Sequence, residues 1–213
     1  MESWGTAVLS QIVEVSIDLS GNYRGLVQKL LPQAEIVADR FHVTKLVNQE
    51  VNTTRRAVLQ ANDNNPDQVE KARLQEALKQ SKYALLKPEA HLTPKQQLKL
   101  AEVKAVSPLL AEIHQRKEAF RDIFETSANW TEGTLRLLDW LAQSQTQFRS
   151  SVGTICRWFG EVTAYFDHRT TSGAVEGINN KLKLIKRSGY GFRNFDNFQI
   201  RCLICWHLDI SSA

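Results

Sequence analysis

The chain has too few cysteines to be stapled. Cys156, Cys202 and Cys205 are its only three, and thiols at these spacings make no disulfide framework. A reducing, cytoplasmic setting fits them better. Long apolar runs are missing too, so no segment reads as a membrane span and no membrane partner is expected. Met1 to Gln11 lacks a basic stretch followed by an apolar one, which removes the signature of a secretory leader. There is no repeat of fixed period and no low-complexity tract. Neither sign of charge dominates. A formal net charge of +4 and a pI near 9.0 mildly favour an anionic partner. The 213 residues suffice for one large domain, or for a small α/β core with a helical appendage.

What is present begins as β-α-β. Val13, Val15, Ile17 and Leu19 alternate with Glu14, Ser16 and Asp18, the period of a half-buried strand. Ser20, Gly21 and Asn22 break it, Tyr23 to Leu31 reads as a helix, and Pro32 stops the helix. Glu35 to Ala38 is a second short strand that ends at Asp39. So compact a crossover implies two parallel, neighbouring strands.

From there the pattern is helical. Val43, Leu46, Val47 and Val51 form one apolar stripe, and Asn62 to Pro66 is a polar break. Val69 to Leu86 reads as one helix. Thr93-Pro94 reads as an N-cap with proline at the first helical position, starting a helix to about Val106. Ser107-Pro108 starts another to about Phe124, and Trp130 to Ala142 and Gln147 to Tyr165 continue the series. Ser172-Gly173 opens a helix with Val175, Ile178, Leu182 and Ile185 on one face and Glu176, Asn180, Lys183 and Arg187 on the other. Ser188 to Gly191 ends it, and a last helix runs from about Asn197 to Leu208.

Three acids stand out. Asp18 and Asp39 each follow a strand, so both point to the C-terminal edge of a parallel sheet, where α/β proteins bind ligands and metals. A pair of divalent ions about 4 Å apart needs carboxylates converging from several elements, and Mg²⁺ takes such oxygen ligands. An aspartate after a strand is equally a turn former or a helix N-cap. Glu176 shares its helix face with an amide suited to a phosphate oxygen or water and with cations suited to a DNA backbone. A solvated face with an acid near the helix's positive end is the plainer reading. Lys181, Lys183, Lys186, Arg187 and Arg193 form a basic cluster free of acids, interleaved with Tyr190, Phe192 and Phe195. Such mixtures suit backbone contacts and base stacking, or equally a core edge beside solvated lysines. Cys202 and Cys205 read as core thiols rather than zinc ligands. Trp130, Trp140, Trp158 and Trp206 read as core anchors.

Longer stretches carry a resemblance. Residues 171–183, TSGAVEGINNKLK, continue at 186–195 as KRSGYGFRNF, and residues 32–43 read PQAEIVADRFHV. Together with residues 15–23, VSIDLSGNY, these runs resemble, in order, the signatures of the ISL-three family of bacterial DDE transposases, from about residue 10 to 208. The resemblance implies a mostly α, α/β chain. It would comprise a partial RNase H-like β-α-β segment (1–43), a helical insertion (44–170) and C-terminal helices bearing the catalytic glutamate (171–213).

It further implies cleavage and strand transfer at insertion-sequence ends by a D-D-E set holding two Mg²⁺ (or Mn²⁺). Glu176 takes the place of the glutamate. Asp18 is preferred as the second aspartate and metal ligand, with Asp39 the alternative and Arg40 and His42 accessory. Asn180, Lys181, Lys183, Lys186, Arg187 and Arg193 would meet DNA. The family's N-terminal zinc-binding and helix-turn-helix region and its first catalytic aspartate find no match, so the chain is expected to be a C-terminal part, exposing a strand edge and apolar surface. It either belongs to an active transposase or is an inactive remnant that binds DNA or oligomerises with an intact transposase.

Overall fold

The computed structural model describes residues 5–169, 173–191 and 194–208. Within them two compact units separate at residue 170, Met1–Thr170 and Thr171–Ala213. After a short α1 (Thr6–Leu9), the first unit runs β1 (Glu14–Ile17), α2 (Gly21–Leu30), β2 (Glu35–Ala38) and α3 (Arg40–Asn62). Then follow α4 (Gln68–Leu78), α5 (Lys82–Leu86), a 3-10 turn (Glu89–His91), α6 (Pro94–Val106) and α7 (Pro108–Thr126). It ends with α8 (Trp130–Gln143), α9 (Arg149–Arg157) and α10 (Phe159–His168). The second unit holds α11 (Gly173–Ser188) and α12 (Phe195–Leu208), which pack on each other. The chain is therefore mostly helical.

The two strands are parallel neighbours, Glu14 opposite Glu35 through Ile17 opposite Ala38. The first strand stops short of Leu19 because the chain turns at once: Ser20 N–H donates to the Asp18 carbonyl at 2.8 Å. Among the described residues no third strand joins the sheet. Nearby apolar side chains stay open, Val13 being 74% and Tyr23 56% exposed.

Two stretches expected as single helices are each divided. Gln80 adopts a left-handed φ of 58° between α4 and α5. The Ser81 hydroxyl and the Lys117 ammonium then take up loose carbonyls: Ser81 Oγ donates to Leu78 O at 2.7 Å, and Lys117 Nζ to Leu85 O and Lys87 O at 2.8 and 2.9 Å. The break turns Leu78, Ala84 and Leu85 inward together. At Trp158, α9 gives way to α10, and the indole is buried. The start of α9 has no local side-chain cap. Glu50 of α3 supplies it from a distance, accepting from Ser150 N, Ser151 N and Ser151 Oγ at 3.0, 2.9 and 2.5 Å. The Thr93 capping box and the proline starts of α6 and α7 form as expected.

The core is one aromatic chain set among aliphatics. Phe120 meets Trp140 with centroids 4.6 Å apart, Trp140 meets Phe148 at 5.4 Å, and Phe124 meets Phe166 at 5.2 Å. Trp140 and Trp158 are the expected anchors, whereas Trp130 is 43% exposed because it opens α8 beyond the packed face. Trp206 has its side chain outside the described residues. Gly133 on α8 lies against the Phe166 ring, and an added Cβ would stand 2.5 Å from it. Gly133→Ala is therefore expected to destabilise by about 1–3 kcal/mol through overpacking, against a helix-propensity gain of about 1 kcal/mol. Gly153→Ala, where a Cβ meets nothing within 4 Å, should be neutral or stabilising. Urea denaturation of the two variants checks both.

A second test concerns pH. His114 of α7 is fully buried, its ring nitrogens 3.7 Å from Glu89 and 3.9 Å from Glu118. Burial, then Lys117 and Lys104, push its pKa down from 6.5 to about 3, with Glu89 opposing. A folded-state pKa below the unfolded one means the native state resists protonation. This contribution is whole above pH 6.5 and is lost as pH falls toward 3. Thermal midpoints measured across that window should fall less steeply for His114→Leu than for the parent chain.

Candidate functional site

The carboxyl end of the two-stranded sheet brings the two strand-terminal aspartates side by side. Asp39 follows Ala38, the partner of Ile17, and its N–H donates to Ile17 O at 2.8 Å. Asp18 follows Ile17 directly. The same residue type at the same edge meets two different environments.

Asp39 is 2% exposed and is the N-cap of α3. Its Oδ1 accepts from Phe41 N at 3.1 Å, and its Oδ2 lies 3.0 Å from His42 Nδ1. Both oxygens are thus engaged in holding the start of a 23-residue helix. Here the capping reading of the sequence is the observed geometry. His42, 39% exposed at its side chain, keeps Nε2 as its other ring nitrogen.

Asp18 is half-buried, and its carboxylate is neither a turn former nor a cap. The turn after it is closed by main-chain atoms, and α2 begins at Ser20 without a side-chain cap. Its Oδ1 is buried with no hydrogen-bond partner. An acceptor withdrawn from water without a donor is costly unless something else satisfies it, and a cation is one such group. On this observation Asp18 has a buried oxygen open to a metal, while each oxygen of Asp39 already has a hydrogen-bond partner. Among the described residues no cluster of three His, Cys, Asp or Glu side chains is arranged to hold a metal.

Arg40, next to Asp39 in sequence, is engaged by α7 and α10. It pairs with Glu125 at 2.8 Å and reaches the Tyr165 hydroxyl at 3.5 Å. Arg121 and then Arg40 hold the Glu125 carboxyl below its usual range. Arg24 of α2 pairs with Glu161 of α10 at 2.6 Å and stacks on Trp158 at 5.0 Å. These cations fix α2 and α3 to the helices beyond.

In the second unit, Glu176 lies in the first turn of α11 by position, and its side chain is outside the described residues, as is Arg193 altogether. Asn180, Lys183, Lys186 and Arg187 are exposed, while Lys181 is half-buried. Ile185 is 5% exposed and Cys202 is buried, the inward side of the helix pair. The basic end of α11 is shaped by its stop: Tyr190 and Gly191 take φ of 52° and 92°, and Gly191 N–H donates to Lys186 O at 3.0 Å. Only a glycine tolerates such a backbone cheaply. Tyr190 stands wholly exposed beside the lysines.

Residues 1–202 match a family model described as a transposase. The chain belongs to the ISL-three family of transposases. It is 31% identical over 196 residues to the transposase for insertion sequence element IS1001 of Bordetella parapertussis, covering 90% of this chain and 47% of that one. It is 28% identical over 216 residues to the transposase for insertion sequence element IS1557 of Mycobacterium tuberculosis, covering 91% and 47%. The chain spans about half the length of the curated relatives it matches. No solved structure matches. Asp18, Asp39 and Glu176 all fall within the matched residues of this DDE family. Among the described residues no helix is long and apolar enough to cross a membrane.

The environments of the aspartates separate by stability. Asp39→Ala removes a cap and leaves the Phe41 amide and His42 without their partner, which should cost about 1–2 kcal/mol. Asp18→Asn removes a charge that no group among the described residues is seen to engage, so stability should stay within about 0.5 kcal/mol. Equal losses in a denaturant titration of the two variants would place Asp18 in the scaffold instead.

Proposed function

We propose that this chain contributes Asp18 and Glu176 to the metal-dependent DNA-processing centre of an insertion-sequence transposase, built on an RNase H-like core. The observation that carries the assignment is the buried, unpartnered Oδ1 of Asp18 at the carboxyl edge of a parallel β-α-β unit, beside an aspartate already spent on capping. A pair of Mg²⁺ or Mn²⁺ ions, when bound, supplies charge neutralisation at the attacking and leaving oxygens of a phosphodiester. Asp18 offers one ligand oxygen from a fixed strand end. Glu176 offers the other carboxylate from α11.

The remaining residues bind and orient. Asn180, Lys183, Lys186 and Arg187, with Lys181 and Arg193, suit the phosphodiester backbone of insertion-sequence ends and target DNA, whose affinity is carried by such cations. His42, oriented by Asp39, stands one helical turn from the sheet edge and suits a contact to substrate phosphate or water. The third carboxylate of the D-D-E set, and a strand to cover the open side of β1, are proposed to come from the part of the relatives' length that this chain does not cover. A chain without that part would be a remnant limited to DNA binding or to pairing with an intact copy. The unaccompanied 213 residues represent that second reading.

The test compares this chain with a protein of the relatives' full length on labelled insertion-sequence-end DNA with Mg²⁺. The chain alone is expected to show no cleavage. The full-length protein should cleave, and Asp18→Asn or Glu176→Gln should each lower its rate a thousandfold or more, about 4 kcal/mol at the transition state. His42→Gln should lower it far less. Robust cleavage by the 213 residues alone, abolished by Glu176→Gln, would show that another acid completes the set.

A further inference from the structure

Two adjoining surface grooves run along the first unit. The first, about 380 Å³, lies between α3 and α5 and is lined by Phe41, Lys45, Asn48 and Lys82, among others. The second, about 460 Å³, shares Lys82 and continues past Tyr83 and Lys95. No aspartate or glutamate lines either one. Among the described residues no carboxylate lies within ion-pair distance of Lys45, Lys82 or Lys95, whereas Lys99, at the far end, is held by Glu102 at 2.6 Å. Two rings stand open beside these cations, Phe41 at 54% and Tyr83 at 62% exposure, with Lys82 over the Tyr83 ring at 5.7 Å. In the wall of the first groove, Asn48 Oδ1 is buried without a hydrogen-bond partner.

We propose that these grooves hold a single DNA strand: Lys45, Lys82 and Lys95 meet its phosphates, and Phe41 and Tyr83 stack on its bases. Exposed rings alternating with cations along a shallow track are the chemistry of sequence-tolerant single-strand binding, since every base has a face to stack. The size argues for one strand. Volumes of this order take a drug-sized group, so each groove admits a base and its sugar and excludes a duplex. Direction follows from position. Phe41 N–H is held by Asp39 Oδ1, so the first groove starts where the sheet edge ends. A strand lying in it runs toward Asp18. This deepens the DNA-processing reading and rests on it only for the identity of the ligand.

The probe is a fluorescent thymidine oligonucleotide of twenty residues, titrated by anisotropy into the full 213-residue chain at two salt concentrations, with the duplex of the same length alongside. All substituted side chains are exposed, and circular dichroism confirms folding. Lys45→Glu with Lys82→Glu should weaken single-strand binding tenfold or more and reduce the salt slope by about two. Phe41→Ala with Tyr83→Ala should weaken the single strand about tenfold and leave the duplex unchanged. Lys183→Ala with Arg187→Ala on α11 serves as the control for the other surface. Single-strand binding that survives the groove changes and vanishes with the α11 changes overturns the groove while leaving the α11 assignment standing. Equal loss of single strand and duplex overturns the single-strand assignment. Absence of all binding overturns both surfaces, and leaves Asp18 to be judged by cleavage in the longer protein.

Discussion

A sheet of two four-residue strands cannot bury its own faces, and the whole first unit is organised around that deficit. Such a pair is marginal in water unless something packs on it. Here α10, more than 120 residues away in sequence, lies along β2, where Val37 and Ala38 are essentially inaccessible. The Arg24–Glu161 ion pair and the stacking of Arg24 on Trp158 tie α2 to the same stretch. Only about a tenth of the Glu161 side chain is open to solvent, and breaking one partner of such a pair costs more than the pair contributes. The carboxyl edge that carries Asp18 and Asp39 is therefore set by late helices, not by the local β-α-β alone. The expected helical insertion is in this sense the other half of the sheet's core.

The same constraint explains how two aspartates with identical sequence credentials part company. A helix of 23 residues begins directly at the end of β2, and its first amides need an acceptor. Asp39 is consumed by that need. After β1 the chain instead folds back through a main-chain turn into a shorter helix, and among the described residues no donor meets Asp18 Oδ1. Among the described residues the two carboxylates thus differ in what they hold: Asp39 has a partner on each oxygen, and Asp18 Oδ1 has none.

Much of this was legible in the residues. Glu35 to Ala38 matches β2 residue for residue, and the proline-marked starts of α6 and α7 fall where N-cap chemistry put them. The misreadings share one cause. The division at Gln80 and the one at Trp158 occur within stretches whose local composition favours helix, and only packing demands the break: Lys117 must reach Leu85 O and Lys87 O, and Trp158 must face inward. Glu50 capping α9 across 100 residues has no local signature at all. Neither does the groove between α3 and α5, because Lys45 and Lys82 become neighbours only after folding. Periodicity assigns Glu176 to the polar face of its helix, and its side chain lies outside the described residues.

A net charge of +4 spread evenly would do little for an anionic ligand. The fold does not spread it evenly. In the first unit many acids are spent internally: Glu161 on Arg24, Glu125 on Arg40 and Arg121, Asp122 and Glu132 on Arg136, Glu112 on Arg116, and Glu50 on the start of α9. Most of the arginines named there are tied down with them. Lys45, Lys82 and Lys95 of the groove have no such claimants among the described residues, and the sequence after Glu176 contains no acid through Arg193. Pairing inside the first unit engages many of its acids, and residues 177–193 contain none, so the modest overall excess is concentrated at Lys45, Lys82 and Lys95 and along α11. For a polyanion bound by neutralising several phosphates at once, affinity follows the local count of cations rather than the average. Such an uneven distribution of cations fits the polyanion proposed as the ligand.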